Sequence, residues 1–69
     1  MEFKWTEGFE NRVRIEDGAA VISANREGLL SLASHHNTLA ESEGRDHFHL
    51  DEYNSLEEGS AELIVEKTV

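Results

Sequence analysis

The spacing of apolar residues between Asn25 and Ser42 is that of an amphipathic helix. The apolar stripe consists of Leu29, Leu32, Ala33, Leu39 and Ala40. Asn25 is a favourable N-cap, and Gly44 follows the stripe as a C-terminal glycine does. Gly28 lies in the first turn, where glycine lowers helix stability, so we expect close backbone packing there. The pattern predicts one helix over residues 25–42 with its stripe facing the core.

On both sides of this helix the pattern changes to strict alternation, the period of a half-buried strand. The alternating apolar positions are Val13, Ile15, Phe48, Leu50, Leu63 and Val65. Asp17-Gly18 predicts a tight hairpin turn into a partner strand over residues 19–24. The polar stretch 52–60 predicts a loop. Phe3, Trp5 and Phe9 near the N-terminus fit either a first strand or a lid over the sheet edge.

The resulting order of elements is strand, strand, helix, strand, strand. It predicts a single α+β domain over residues 1–69, built as a two-layer sandwich. One helix packs on a four-stranded, mainly antiparallel sheet and covers only one of its faces. Antiparallel sheets tolerate a second face that is polar and open to solvent.

The open sheet face is the predicted partner-binding surface. The residues that alternate onto it are Arg12, Arg14, His47, His49, Glu62, Ile64 and Glu66. Ile64 interrupts the polar pattern and supplies an apolar centre with a charged rim, which is the usual composition of a protein interface. The same face would serve binding of a protein partner or formation of a homodimer.

Charge and composition narrow the class of partner. The chain has six Lys and Arg against fifteen Asp and Glu, a formal net charge of −9. Binding to nucleic acid requires a basic patch, so we expect neither nucleic acid nor an anionic membrane as a partner. An acidic field favours encounter with a basic protein surface. There is no cysteine. No secretory signal is visible, so we expect a cytoplasmic protein.

His47 and His49 are two residues apart on a predicted strand, so both rings leave the same face. A zinc site needs a third and usually a fourth ligand, for which Asp51, Glu62 and Glu66 are the candidates. The ordinary role of such histidines is pairing with carboxylates on the neighbouring strand. We therefore expect no metal and no cofactor.

The helix carries two further histidines. At 100° per residue, His36 falls inside the apolar stripe and His35 on its border. A buried imidazole is more often a core residue than a catalytic base, and Ser34 faces away from His36. The chain also lacks the glycine-rich phosphate loop and the other common catalytic motifs. We expect a protein that is not an enzyme.

Several short stretches together resemble a known family. They are Asn25-Arg26-Glu27-Gly28-Leu29, Leu32-Ala33, Leu39-Ala40, His47-Phe48-His49-Leu50 and Gly59-Ser60-Ala61-Glu62-Leu63-Ile64. In this order and spacing they resemble small immunity proteins of bacterial polymorphic toxin systems, similar to immunity protein 32. The resemblance implies a module that neutralises a cognate toxin by binding it inside the producing cell. The acidic charge of the chain favours a basic toxin domain as that partner. The alternative is a self-associating structural or regulatory domain, with or without a metal at His47 and His49.

Overall fold

The computed structural model describes residues 3–68. Its elements follow the predicted order and are β1 (Asn11–Glu16), β2 (Ala19–Ala24), α1 (Arg26–Glu41), β3 (Asp46–Leu50) and β4 (Leu63–Lys67). The α+β class and the helix are therefore confirmed. The turn between β1 and β2 has φ of 48° at Asp17 and 80° at Gly18. Positive φ at both central residues is the property of a type I′ hairpin turn, as the sequence predicts.

The prediction of a single four-stranded sheet is wrong. β1 pairs with β2 and β3 pairs with β4, each antiparallel, in two separate two-stranded sheets. The segment before β4 takes the other edge of β1. The backbone N–H of Glu57 donates to Asn11 O at 2.8 Å, and that of Ala61 donates to Val13 O at 2.7 Å. Alternation identifies strands but does not say which segment occupies a strand edge.

Asn25 joins the start of α1 to residues 3–10, which we call the N-terminal segment. Its Oδ1 accepts hydrogen bonds from Gly28 N at 2.8 Å and from Glu10 N at 3.0 Å. Its Nδ2 donates to Gly8 O at 2.9 Å. One side chain therefore caps the helix, as predicted, and also fixes the chain that enters β1.

The close packing expected at Gly28 is confirmed. A Cβ at this position would lie 2.3 Å from Asn11 Oδ1 and 2.5 Å from Glu10 O. One turn further along α1, Ser31 is fully buried, and its Oγ accepts a hydrogen bond from Thr6 N at 2.8 Å. The small residues on this side of α1 thus allow the N-terminal segment to approach the helix closely.

This approach changes which face of α1 is buried. The buried residues are Gly28, Ser31, Leu32, His35 and Leu39. Leu32 and Leu39 match the predicted stripe, but Leu29 is 57% exposed. Ala33 and Ala40 are exposed as well. The structure therefore contradicts the predicted burial at three of the five stripe positions. The N-terminal segment packs on the side of α1 that carries Gly28 and Ser31, so this side is buried in place of part of the most apolar one.

The core lies between α1, β1 and the second hairpin. Its buried apolar side chains are Val13, Leu32, Leu39, Phe48, Leu50 and Leu56, and the half-buried Leu63 and Val65 pack against them. Leu56 comes from the stretch predicted only as a loop. Ile15 was expected in the core but is 63% exposed. It lies near the turn end of the hairpin, where residues 14–20 are all exposed.

The N-terminal segment forms no strand within residues 3–10. Phe3 and Trp5 are half-buried and pack against the core. Trp5 also stacks on Phe9, with 4.3 Å between ring centroids. Of the two predicted possibilities, the segment acts as a cover, but it lies over α1 and β3 and not only over a sheet edge.

Candidate functional site

The outer face of the β3–β4 hairpin collects five of the seven predicted binding residues. They are His47, His49, Glu62, Ile64 and Glu66, and all five are exposed. The strand register pairs His47 with Glu66 and His49 with Ile64. Phe48 and Leu50, which alternate with the histidines, are buried on the opposite side. The predicted alternation on this hairpin is therefore observed, and we call these five residues the outer face.

Ile64 is the one large apolar side chain of the outer face. It is 52% exposed, although β4 as a whole packs its alternate residues against the core. Charged and titratable side chains surround it along the strand and across the ladder. An apolar centre inside a polar rim is the composition expected of a protein-binding surface.

Arg12 and Arg14 lie in β1, which belongs to the other sheet, and both side chains are hydrogen-bonded to other groups of the protein. Arg12 Nη1 donates to Glu58 O at 2.9 Å. Arg14 Nη1 donates to Ser23 Oγ at 2.6 Å, and its Nε is paired with Glu16. Because β1–β2 and β3–β4 are separate sheets, the two arginines lie on a different sheet from the outer face. Their part in binding stays a prediction.

His49 is paired with carboxylates on both sides. Its Nε2 lies 2.9 Å from Glu62 Oε2 and 3.6 Å from Asp51 Oδ2. The contact with Glu62 agrees with the predicted pairing between a histidine and a carboxylate near the neighbouring strand. His47 is not a member of this group of close donor atoms among residues 3–68.

The loop between β3 and β4 is the most acidic part of the chain. Its carboxylates are those of Asp51, Glu52, Glu57, Glu58 and Glu62, and residues 51–62 contain no lysine or arginine. Tyr53 is 93% exposed at the start of this loop. This loop adjoins the outer face through Asp51 and Glu62, so the two form one continuous acidic region.

The sequence placed the wrong helix histidine in the interior. His35 is fully buried, whereas His36 is exposed. The His35 ring lies edge-on to Trp5 at a centroid distance of 4.1 Å and to Phe3 at 4.8 Å. Neither ring nitrogen has a hydrogen-bond partner within residues 3–68. Burial, and then the nearby charge of His36, lowers the pKa of His35, so the ring is neutral at neutral pH.

One sequence signal could have identified this buried histidine. Gly28, Ser31 and His35 follow one another at spacings of three and four residues, the period of one helix face. A stripe defined only by hydrophobicity omits all three. Small or polar residues repeated at this period indicate a face where another segment comes close, as the N-terminal segment does here.

Two cavities border the helix. One, of about 370 Å³, is lined by Phe3, Trp5, His35, His47, Phe48, His49, Leu50 and Asn54. The other, of about 870 Å³, is lined by Leu30, Ala33, Ser34, Asn37, Thr38, Glu41, Ser42, Glu43 and Asp46. Three histidines (His35, His47 and His49) thus line the first cavity, and two serines (Ser34 and Ser42) line the second. Neither lining combines a hydroxyl nucleophile with a histidine base.

Comparison with protein families now places the chain. Residues 20–68, more than half of the sequence, match the family described as immunity protein 32. The chain belongs to the immunity protein 32 family. The matched region contains the whole outer face, whereas the N-terminal segment and β1 lie before it. The family resemblance found in the sequence is confirmed.

No curated protein and no solved structure matches the chain. Within residues 3–68, no helix is long and apolar enough to cross a membrane. Immunity proteins act by binding a toxin, so membership in the family indicates a protein partner.

Proposed function

We propose that this chain is a cytoplasmic immunity protein that neutralises a cognate toxin by covering it with the outer face of the β3–β4 hairpin. The observation that carries the proposal is Ile64, which is 52% exposed at the centre of an otherwise polar face. Full burial of an exposed side chain of this size contributes about 1.5–3 kcal/mol, and burial of the exposed part of Ile64 would contribute roughly half of that. The family membership supports a toxin as the partner.

The charge of the surrounding loop supports a basic surface on the toxin. Residues 51–62 contribute five of the fifteen carboxylates of the chain. Complementary charge accelerates association and is screened by salt. Tyr53, at 93% exposure, offers an aromatic side chain of the type enriched in interfaces. We expect the association rate to fall as ionic strength rises.

The test uses the product of the neighbouring gene as the candidate toxin. Ile64→Glu should abolish binding in a pull-down and protection of cells that express the toxin, because it places a charge at the apolar centre. Ile15→Glu is the matched control. Ile15 is also an exposed isoleucine on a strand, at 63%, but it lies on the other hairpin. This control should bind and protect like the parent.

The outcomes separate the surfaces. Binding that survives Ile64→Glu would contradict the proposal, and loss with Ile15→Glu alone would move the interface to β1–β2. Size-exclusion chromatography of the same variants examines the alternative of a homodimer. A dimer in the parent that Ile64→Glu converts to a monomer, without any binding of the toxin, would favour the self-associating domain.

A further inference from the structure

The group formed by His49, Asp51 and Glu62 has the composition and spacing of a metal site. Each residue offers one ligand atom, and the three atoms lie within 4.8 Å of one another. We propose that these residues bind a divalent transition-metal ion, with Zn²⁺ as the reference ion. This inference goes beyond the proposed function, which requires no metal.

The two distances from His49 to the carboxylates lie close to the spacing of tetrahedral coordination. Bonds of about 2.0–2.1 Å to zinc place neighbouring ligand atoms about 3.3–3.4 Å apart. His49 Nε2 lies 2.9 Å from Glu62 Oε2 and 3.6 Å from Asp51 Oδ2, values on either side of that spacing. The third pair of ligand atoms, those of Asp51 and Glu62, lies within 4.8 Å. The side chain of Glu62 is exposed and can move to close the remaining separation around the ion.

The backbone holds Asp51 in the required orientation. Its Oδ1 accepts hydrogen bonds from Tyr53 N at 2.9 Å and Asn54 N at 3.1 Å, which leaves Oδ2 directed toward His49. Asn54 Nδ2 also donates to His49 O at 3.1 Å, and Asn54 Oδ1 accepts from Asp51 N at 2.9 Å. Such supporting contacts orient metal ligands and limit the rearrangement on binding.

The donor set favours one class of ion. Two carboxylates and one neutral imidazole give a net charge of −2, which a divalent cation balances. Nitrogen from histidine suits zinc and its neighbours in the first transition row, whereas Mg²⁺ and Ca²⁺ prefer oxygen alone. Three protein ligands leave a position for water or for a group from a partner.

This ligand set differs from the one considered in the sequence. The sequence paired His47 with His49 and named Asp51, Glu62 and Glu66 as candidates for the remaining ligands. It gave the expectation of no metal because such histidines ordinarily pair with carboxylates. In the structure Asp51 takes the place of His47, and Glu62 completes the group. Two of the three candidates named from the sequence therefore meet His49, whereas His47 does not.

The experiment is a calorimetric titration of the full metal-free chain with zinc chloride at neutral pH. We expect saturable binding of one ion per chain and a melting temperature that rises with zinc concentration. His49→Ala and Glu62→Gln should each weaken binding at least tenfold. His47→Ala and Glu66→Gln are the matched controls, since they remove the same residue types from the same outer face, and they should bind zinc like the parent.

Cobalt(II) gives a second measurement. A four-coordinate site should produce visible absorption bands that zinc displaces and that His49→Ala lacks. The absence of one-to-one binding, or an equal loss with His47→Ala and His49→Ala, would overturn the proposal. None of these measurements involves the toxin, so their failure leaves the proposed function intact, and failure of toxin binding leaves the metal site intact.

Discussion

The two hairpins are built from the same number of strands but have different roles in the molecule. β1–β2 is joined by the two-residue turn Asp17-Gly18, and the residues from 14 to 20 are all exposed. β3–β4 is joined by twelve residues, and Phe48 and Leu50 of β3 are buried. Leu56 of the connecting loop is buried as well. The hairpin with the weaker local turn signal therefore contributes more buried side chains to the core than the hairpin with the stronger one.

The difference separates two sources of order. Positive φ at both turn residues sets the pairing of β1 with β2 locally. Pairing of β3 with β4 depends on apolar burial against α1, because a long loop specifies no register by itself. We therefore expect substitutions of the buried side chains of β3 to destabilise the protein strongly and substitutions near the β1–β2 turn to have little effect.

The largest expected effect is that of Phe48→Ala. The ring is buried and contacts the rings of Phe3, His35 and His36 edge-on. Its removal should lower the free energy of unfolding by about 3–5 kcal/mol. Ile15→Ala, at the exposed end of the other hairpin, should change it by less than about 0.5 kcal/mol. Urea unfolding followed by circular dichroism measures both, and similar losses would contradict the contrast between the hairpins.

A smaller effect is expected where β1 meets the helix. Gly28→Ala would place a methyl group 2.5 Å from Glu10 O, so the backbone before β1 must move. We expect a loss of about 1–3 kcal/mol in the free energy of unfolding, as for other overpacked sites. Asn37→Ala, at an exposed position of the same helix, should be neutral or slightly stabilising. If Gly28→Ala stabilised the protein as much as Asn37→Ala, the close approach would be excluded.

The third prediction concerns the stability of the protein in acid, which depends on the buried ring of His35. This ring lies edge-on to those of Phe3, Trp5 and Phe48. The folded protein has a lowered pKa at His35, caused first by burial and then by His36. The unfolded chain takes up a proton near its ordinary value of about 6.5, so stability is fully present above that pH and falls below it. We expect this contribution to be present at about pH 7.5 and to decrease as the pH falls through about 6.5 toward the lowered pKa of His35 in the folded protein.

Unfolding by urea across this pH range measures the effect. His35→Leu should remove most of the dependence, since leucine does not titrate. The control His47→Gln, at an exposed position of β3, should retain it. A parent protein whose stability rises on acidification through this range would contradict the burial of a neutral His35.

The sequence by itself determined the elements and their surface chemistry. Alternation located the strands and oriented His47, His49 and Ile64 outward, and Asn25 fixed the start of the helix. The turn residues Asp17-Gly18 defined the first hairpin. These features depend on neighbours within a few residues, which is why pattern and propensity are sufficient to predict them.

Tertiary structure decided everything that depends on contact between distant segments. The hydrogen bonds from Glu57 and Ala61 occupy the second edge of β1, so β1 does not pair with β3 or β4. The approach of Glu10 and Asn11 to Gly28 decides which face of α1 is buried. No local pattern encodes these contacts, because each joins groups whose meeting depends on how the loops pack and not on the period of a helix or a strand.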